Sequence, residues 1–557
     1  MRLRSTAFAL LVLTGCQPPA DQIYTNATVY TSHDAQPTAQ AVAVTGGRIV
    51  FVGSAAEAER YQGPNTEVVD LAGAVVFPGF IDAHAHLTGV GQRELTLNLE
   101  GSLSVAELQR RVKERVDRAQ PGDWVIGRGW IETHWTPSRF PTRQDLDAIS
   151  PNNPVVLSRS DGHSSVANSA ALKLAGVTRA TQLPFGGDIL KDAKGEPTGM
   201  LIDAAQGLIG RHIPAETEES RENAVVVGAD RYLRLGWTQL QNAGGSWPDV
   251  ARLRKLFQEG RVALRVYQTL NGPSESADSL LANGAFVSEF DGRLTIRTIK
   301  VVMDGALGSR GALLLTPYTD DPGKYGLLTT DLARLRPMLA EALRRGVQVE
   351  AHAIGDSANR LYLNLVEEAL AAVPASERAL PEHRWRNEHS QIVNPADIPR
   401  FAALGVIPSM QPSHAIGDLY FAPSRLGTER LHGAYAWKDF LDQGNMIAAG
   451  SDAPVEQGHP MIEFYAAVTR KDTTGFQGPP EVWHPGQAMT REQALKALTL
   501  WPAYAAFEEL ERGSIEVGKW ADFTILDADI MTIPEAEILK TRTVMTVING
   551  AIAYRAP

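Results

Sequence analysis

The chain has 557 residues, 44% of them hydrophobic and 21% charged, and a formal net charge of −11. At about 150 residues per domain this length suggests three or four domains, but one large α/β barrel with insertions absorbs most of it. The acidic balance, with no compact basic run, disfavours a nucleic-acid partner, and the single cysteine excludes an intrachain disulfide and a CxxC zinc site.

The N-terminus begins Met1-Arg2-Leu3-Arg4, continues through the apolar run Ala7 to Leu13, and reaches Thr14-Gly15-Cys16. A positive start, a short apolar core and small residues describe a secretory signal. The Leu13-Thr14-Gly15-Cys16 ending resembles a bacterial lipobox, in which the cysteine is lipidated. The expectation is therefore an exported protein in the bacterial cell envelope, facing the periplasm and touching the membrane only through a lipid on Cys16. The alternative is a plain signal peptide. The run is far short of the ~20 residues that span a bilayer.

Residues 1–22 form this leader. From 23 to 77 the pattern is short strands and turns: Ala41–Val44 and Arg48–Val52 flank Thr45-Gly46-Gly47 as a hairpin, and Val68–Leu71 and Ala74–Phe77 flank Ala72-Gly73 in similar fashion. The middle, 78–506, alternates apolar runs with amphipathic helical stretches, the sign of a parallel sheet with crossover helices. Helices are expected at Leu332–Arg345, Ser357–Ala372 and Arg491–Thr499, and strands at Pro154–Ser158 and Val347–Ala351. Eight such units close a barrel, although eight are not countable here. The segment 102–213 is too long for one βα unit and reads as an insertion over the barrel mouth. Residues 507–557 return to short strands, ending at Val544–Ile548 and the Asn549-Gly550 turn. The expected fold is α/β: a (β/α)8 TIM-like barrel with a small β-sandwich built from both termini.

Chemistry concentrates at strand ends. Phe77–Ala83 runs into His84-Ala85-His86, and alternation along a strand points both histidines to one side. His352 closes Val347–Ala351, His389 closes Trp385–Glu388, and Asp452 closes Met446–Ser451. In a parallel barrel these ends face one mouth, and His and Asp donors on one rim form a metal cage. Lys300 interrupts the apolar strand Leu294–Met303. Burial favours the neutral amine of a lysine, which reacts with carbon dioxide to give an anionic carbamate; the alternative pairs Lys300 with a carboxylate such as Asp304.

Several stretches resemble the amidohydrolase superfamily, specifically its amidohydrolase-3 branch of N-substituted amide and formamide hydrolases. They are Pro78–His86, Lys300–Arg310, Ala351–Asp356, Glu388-His389, Gly450–Val455 and, near the end, Gly513–Asp522. The resemblance implies hydrolysis at a carbonyl centre by a site of one or two divalent ions, zinc by default, with iron, manganese or nickel as alternatives. It implies His84, His86, Lys300 in N6-carboxylated form, His352, His389 and Asp452 as ligands. Asp452 then serves as general base and acid towards water and the leaving amine of a small amide, formamide or cyclic amide.

His163, in Asp161-Gly162-His163-Ser164, and His414, in Gln411-Pro412-Ser413-His414, are candidates for substrate binding or oxyanion stabilisation. A hydrogen-bonded loop histidine is the other reading of each. Trp130 is a candidate for an apolar pocket wall, with a core position as its alternative. His33, His212, His383 and His432 read as surface residues. The Gly305–Gly311 loop lacks the phosphate-binding G-x-x-x-x-G-K-[ST] pattern, and no G-x-S-x-G supports a serine nucleophile. Rival functions are a periplasmic binding or regulatory lipoprotein of the same fold, and an isomerase or decarboxylase using the same cage. A homo-oligomer is compatible with all of these.

Overall fold

A computed structural model describes residues 18–557 apart from 133, 134, 161, 163, 185 and 186. Cys16 and His163 lie outside the described residues. Among those described, no helix is long and apolar enough to cross a membrane.

Eight parallel strands in sequential order form the centre: β1 Phe80–Ala85, β2 Trp237–Asn242, β3 Arg265–Asn271, β4 Leu294–Val302, β5 Gln348–Ala353, β6 Arg386–His389, β7 Ile407–Met410 and β8 Ala448–Ala449. Each pairs in parallel with the next. At the mouth, main-chain bonds from Asp452 N–H to the His84 carbonyl (2.6 Å) and from His86 N–H to the Ala453 carbonyl (2.7 Å) join the end of β1 to the chain leaving β8. Gly450 makes this approach feasible, since a Cβ there would stand 2.5 Å from the His84 nitrogen. Sequential parallel strands joined by helical crossovers are the (β/α)8 arrangement.

The helices follow from the sequence pattern. Leu332–Arg345 starts where Asp331 accepts from the Ala333 N–H, ends at Gly346 in left-handed backbone (φ 64°), and buries Leu335, Met338, Leu339, Ala342 and Leu343. Those positions form one helical stripe against the barrel.

Both termini build two further sheets. Gln22–Thr25 pairs with Ala41–Thr45 and Glu67–Asp70, while Val75–Pro78 pairs with Phe523–Leu526 and with Thr28–Tyr30. Their shared core includes Tyr24, Val29, Val42, Val44, Val76, Phe523, Ile525 and Val547. The Gly46-Gly47 hairpin forms as its sequence indicates, with Thr45 opposite Arg48. The Ala72-Gly73 turn is different. It carries the chain from one sheet to the other, because the strands on its two sides each find better partners elsewhere. Asn549-Gly550, both at positive φ, turns the chain into an additional strand, Ala551–Arg555.

A six-stranded sheet interrupts the first βα unit, between the helix Leu87–Leu95 and the helix Glu218–Leu235. It contains Leu97–Asn98, Val125–Trp130, Val155–Arg159, Ser164–Ala167, Gly187–Lys191 and Pro197–Asp203. The strand expected at 154–158 belongs to this sheet. The two flanking helices pack so closely that a Cβ on Gly91 would fall 1.7 Å from the Ala224 carbonyl oxygen.

Candidate metal centre

His84 sits at the end of β1, His352 near the end of β5, His389 at the end of β6, and Asp452 just beyond β8. The donor atoms of His84, His389 and Asp452 lie within 4.8 Å of one another and all three residues are buried. His86 Nε2 is 3.1 Å from Asp452 Oδ1, and the His352 and His389 rings are 4.5 Å apart. Lys300 Nζ, near the end of β4, stands 3.3 Å from His84 Nε2. The six side chains therefore meet at one mouth although they are spread along the chain from position 84 to position 452. His389 and Asp452 hold positive φ of 75° and 56°, a conformation that costs non-glycine residues energy and clusters at functional sites.

A second layer fixes how these groups point. Glu388 Oε2 accepts from His84 Nδ1 at 2.5 Å, leaving Nε2 as the lone-pair donor towards the mouth. Gln411 Oε1 accepts from His389 Nδ1 at 2.8 Å, with the same consequence. Glu388 is held by Arg386, whose Nε is 2.7 Å from Oε1. Arg386 in turn bonds the Ala83 carbonyl and Ser409. Burial alone would raise the Glu388 carboxyl, but Arg386 and His84 outweigh it and keep it ionised. Asp82 accepts from Ser451 and Tyr232, tying β1 to the Asp452 loop.

The electrostatics suit a cation. Burial, reinforced by the Lys300 charge, pushes His84 down to about 4 and His352 to about 3. Burial also lowers His389 far below the usual histidine range. All three are thus neutral lone-pair donors at neutral pH. Burial opposes ionisation of Asp452, yet the His86 hydrogen bond and the nearby His84 and His389 hold it well below ordinary carboxylates. His352 Nε2 is buried with no hydrogen-bond partner among the described residues. Neutral imidazoles, an ionised aspartate and an orphaned ring nitrogen are the donor set a divalent transition ion needs, so the residues fit such an ion.

Lys300 makes no ion pair with Asp304. The Asp304 carboxylate instead accepts the N–H groups of Leu313, Ile354 and Gly355 and approaches His352 Nε2 at 3.6 Å. The pairing proposed as the alternative for Lys300 is therefore not the one formed.

His414 lies on the helix Pro412–Asp418, buried, with Nδ1 bonded to Gln391 Nε2 and Nε2 3.6 Å from Asp452 Oδ2. Trp130 is placed elsewhere: it is fully buried in the core of the inserted sheet with Leu99, Leu108 and Leu157, its indole donating to the Leu157 carbonyl. That takes it out of the pocket wall, since its large apolar ring packs inside the insertion. His383 is not a free surface residue either. Its Nε2 donates to the Leu404 carbonyl and its Nδ1 accepts from Trp385 N–H. The sequence reading gave no role to Glu388, Arg386 or Gln411. Their signal was present: Arg386 and Glu388 are charges two apart in a short strand, hence on one face.

The family model described as the amidohydrolase family matches residues 67–554, and the chain belongs to that family. Among its relatives is "Protein LONG AFTER FAR-RED 3" of Arabidopsis thaliana, 35% identical over 93% of this chain and 89% of that protein. The N-substituted formamide deformylase of Arthrobacter pascens is 28% identical over 96% and 98% of the two chains. A solved structure from Pyrococcus horikoshii, described as an uncharacterized metal-dependent hydrolase, superposes with a TM-score of 0.74 at 28% identity, covering 92% of this chain and 99% of that one.

Proposed function

We propose that the protein is a metal-dependent hydrolase of carbon–nitrogen bonds in amides, formamides or cyclic amides. The observation that carries this reading is the convergence of His84, His389 and Asp452 donors at the mouth, with Lys300 Nζ against His84 Nε2. His84, His86, Lys300, His352, His389 and Asp452 would hold the ion or ions, with Lys300 as its carbamate and zinc as the default metal. A divalent ion supplies a Lewis acid that acidifies water and polarises a carbonyl.

The chain's own groups do the rest. Asp452, ionised and hydrogen-bonded to His86, takes the proton of the attacking water at its carboxylate and returns it to the leaving nitrogen. His414 Nε2 lies beside Asp452, 3.6 Å from its Oδ2, and is positioned to donate to the oxygen that gains charge during attack. Glu388 and Gln411 keep His84 and His389 in the tautomer that presents Nε2. The likeness to an N-substituted formamide deformylase over nearly the whole chain favours formamides as the first class to try. The test incubates metal-loaded protein with N-alkylformamides, simple amides and cyclic imides and measures released amine. Amine release lost on chelation is expected, and a chain that binds metal yet cleaves none of the three classes would overturn the reading.

A further inference from the structure

Two histidines at the mouth are held at Nδ1 by glutamines, and the two glutamines present opposite ends. Gln411 turns its carbonyl Oε1 to His389 Nδ1 at 2.8 Å, whereas Gln391 turns its amide Nε2 to His414 Nδ1 at 2.7 Å. The pairs cross between loops. His389 ends β6 with Gln391 just beyond it, and Gln411 and His414 follow β7. Each loop thus supplies one histidine and the glutamine that holds the other loop's histidine. His389 and Ser390 both have positive φ, 75° and 42°, which bends the chain sharply before Gln391. The Gln391 carbonyl accepts from Tyr435 N–H at 2.7 Å and the residue is 4% exposed, so its side chain rises from a fixed base. On the facing loop, Ser413 N–H donates to Glu463 Oε2 at 2.9 Å, one residue before His414.

The polarity of each contact decides where the ring keeps its proton. An amide oxygen can only accept, so His389 Nδ1 carries the hydrogen and its Nε2 is a bare lone pair. An amide NH2 can only donate, so His414 Nδ1 is the bare nitrogen and its Nε2 carries the hydrogen. Asp452 favours the same form independently. Its Oδ2 is 3.6 Å from His414 Nε2, where an N–H is attracted and a lone pair would be repelled by the carboxylate. Nε2 is buried and has no hydrogen-bond partner among the described residues, which leaves that hydrogen for an incoming acceptor. The two rings lie 5.7 Å apart and 24° from parallel, yet only His389 can ligate an ion through Nε2.

We propose that Gln391 is a positioning residue: by donating to His414 Nδ1 it fixes the tautomer with the proton on Nε2, so that His414 gives a hydrogen bond to the substrate oxygen and stays out of the metal's ligand set. The substrate oxygen rests on the carbon–nitrogen hydrolase reading above, while the tautomer stands without it.

The first arm of the experiment is a joint neutron and X-ray map of deuterium-exchanged crystals of the metal-loaded full chain. A deuteron on His414 Nε2, none on Nδ1, and the Gln391 amide deuterons facing Nδ1 are expected. A deuteron on Nδ1, or an ion bound at His414 Nε2, overturns the proposal. The second arm follows turnover of N-butylformamide. Gln391→Met, which keeps length and removes the donor, should lower kcat on the order of tenfold with KM within about twofold, since a donor held for the transition state is loosened. In a His414→Ala background the same change should cost less than about twofold, because residues acting as a unit are not additive. Equal losses in both backgrounds would mean that Gln391 acts on the fold and not through His414, and would overturn the proposal. The two readings fail separately. An Nε2 deuteron without cleavage of the formamide removes the hydrolase reading alone, and cleavage with the deuteron on Nδ1 removes the role of Gln391 alone.

Discussion

The interior of the barrel mouth and the core shared by the terminal sheets are equally buried and chemically opposite. Between the terminal sheets, Val29, Val42, Val76, Phe523, Ile525 and Val547 are all at most 1% exposed and contribute only hydrocarbon. Beneath the mouth, Arg386, Glu388, Glu350, Asp82 and His84 reach the same burial as a connected set of charges and hydrogen bonds. An apolar core is stabilised by removing surface from water, whereas buried charges are held only when partners compensate them. The barrel interior therefore depends on compensating partners, and the terminal sheets on the exclusion of water.

Substitutions on either side should separate the two. The largest effect is expected from Asp452→Asn, which keeps shape and removes the proton acceptor: turnover falls by ~10²–10⁴-fold while circular dichroism and melting temperature change little. Steady-state kinetics alongside a thermal melt check this, and near-normal turnover would remove Asp452 from the mechanism. Phe523→Ala should do the reverse. Emptying that fully buried ring position costs about 3–5 kcal/mol of stability, read by denaturant titration, with metal stoichiometry per folded chain unchanged.

Glu388→Gln probes the join between structure and chemistry. Weakening the acceptor behind His84 Nδ1 should reduce metal affinity ~10–100-fold, measured by competition with a chelator. Unchanged affinity would make the Glu388–His84 bond purely structural.

The smallest effect concerns a buried polar group far from the mouth. Burial holds His383 at about 4, below the ~6.5 of a free histidine, so the folded state resists protonation. The stability this contributes is present above pH 6.5 and is lost as pH falls towards 4. At pH 5 the loss is at most about 2 kcal/mol, because the group is partly accessible. The drop in melting temperature between pH 7 and pH 5 should be smaller in His383→Gln than in wild type, and an equal drop would contradict the assignment.

Much of this was legible in the sequence, for a physical reason. Histidines and an aspartate closing apolar runs are an arrangement that only parallel strands bring to one place, so the rim could be read from strand ends. The strand count could not, because β7 has four residues and β8 only Ala448-Ala449, too short for any periodicity. The Ala72-Gly73 turn misled because local turn chemistry does not reveal which strands will pair across the molecule. Trp130 could not be placed until the inserted sheet supplied a core for it. Glu388 and Gln411 escaped for a related reason: each acts through a partner far along the chain, His84 at 304 positions and His389 at 22, and only folding supplies that partner.

The central claim is that one mouth gathers these donors around a divalent ion. Anomalous diffraction collected across the zinc edge, on crystals of protein purified without chelator, tests it most directly. The account expects an ion peak within coordinating distance of His84, His389 and Asp452, and its loss in His84→Ala. A map from fully folded protein with no peak there after soaking in zinc, iron, manganese and nickel would contradict it.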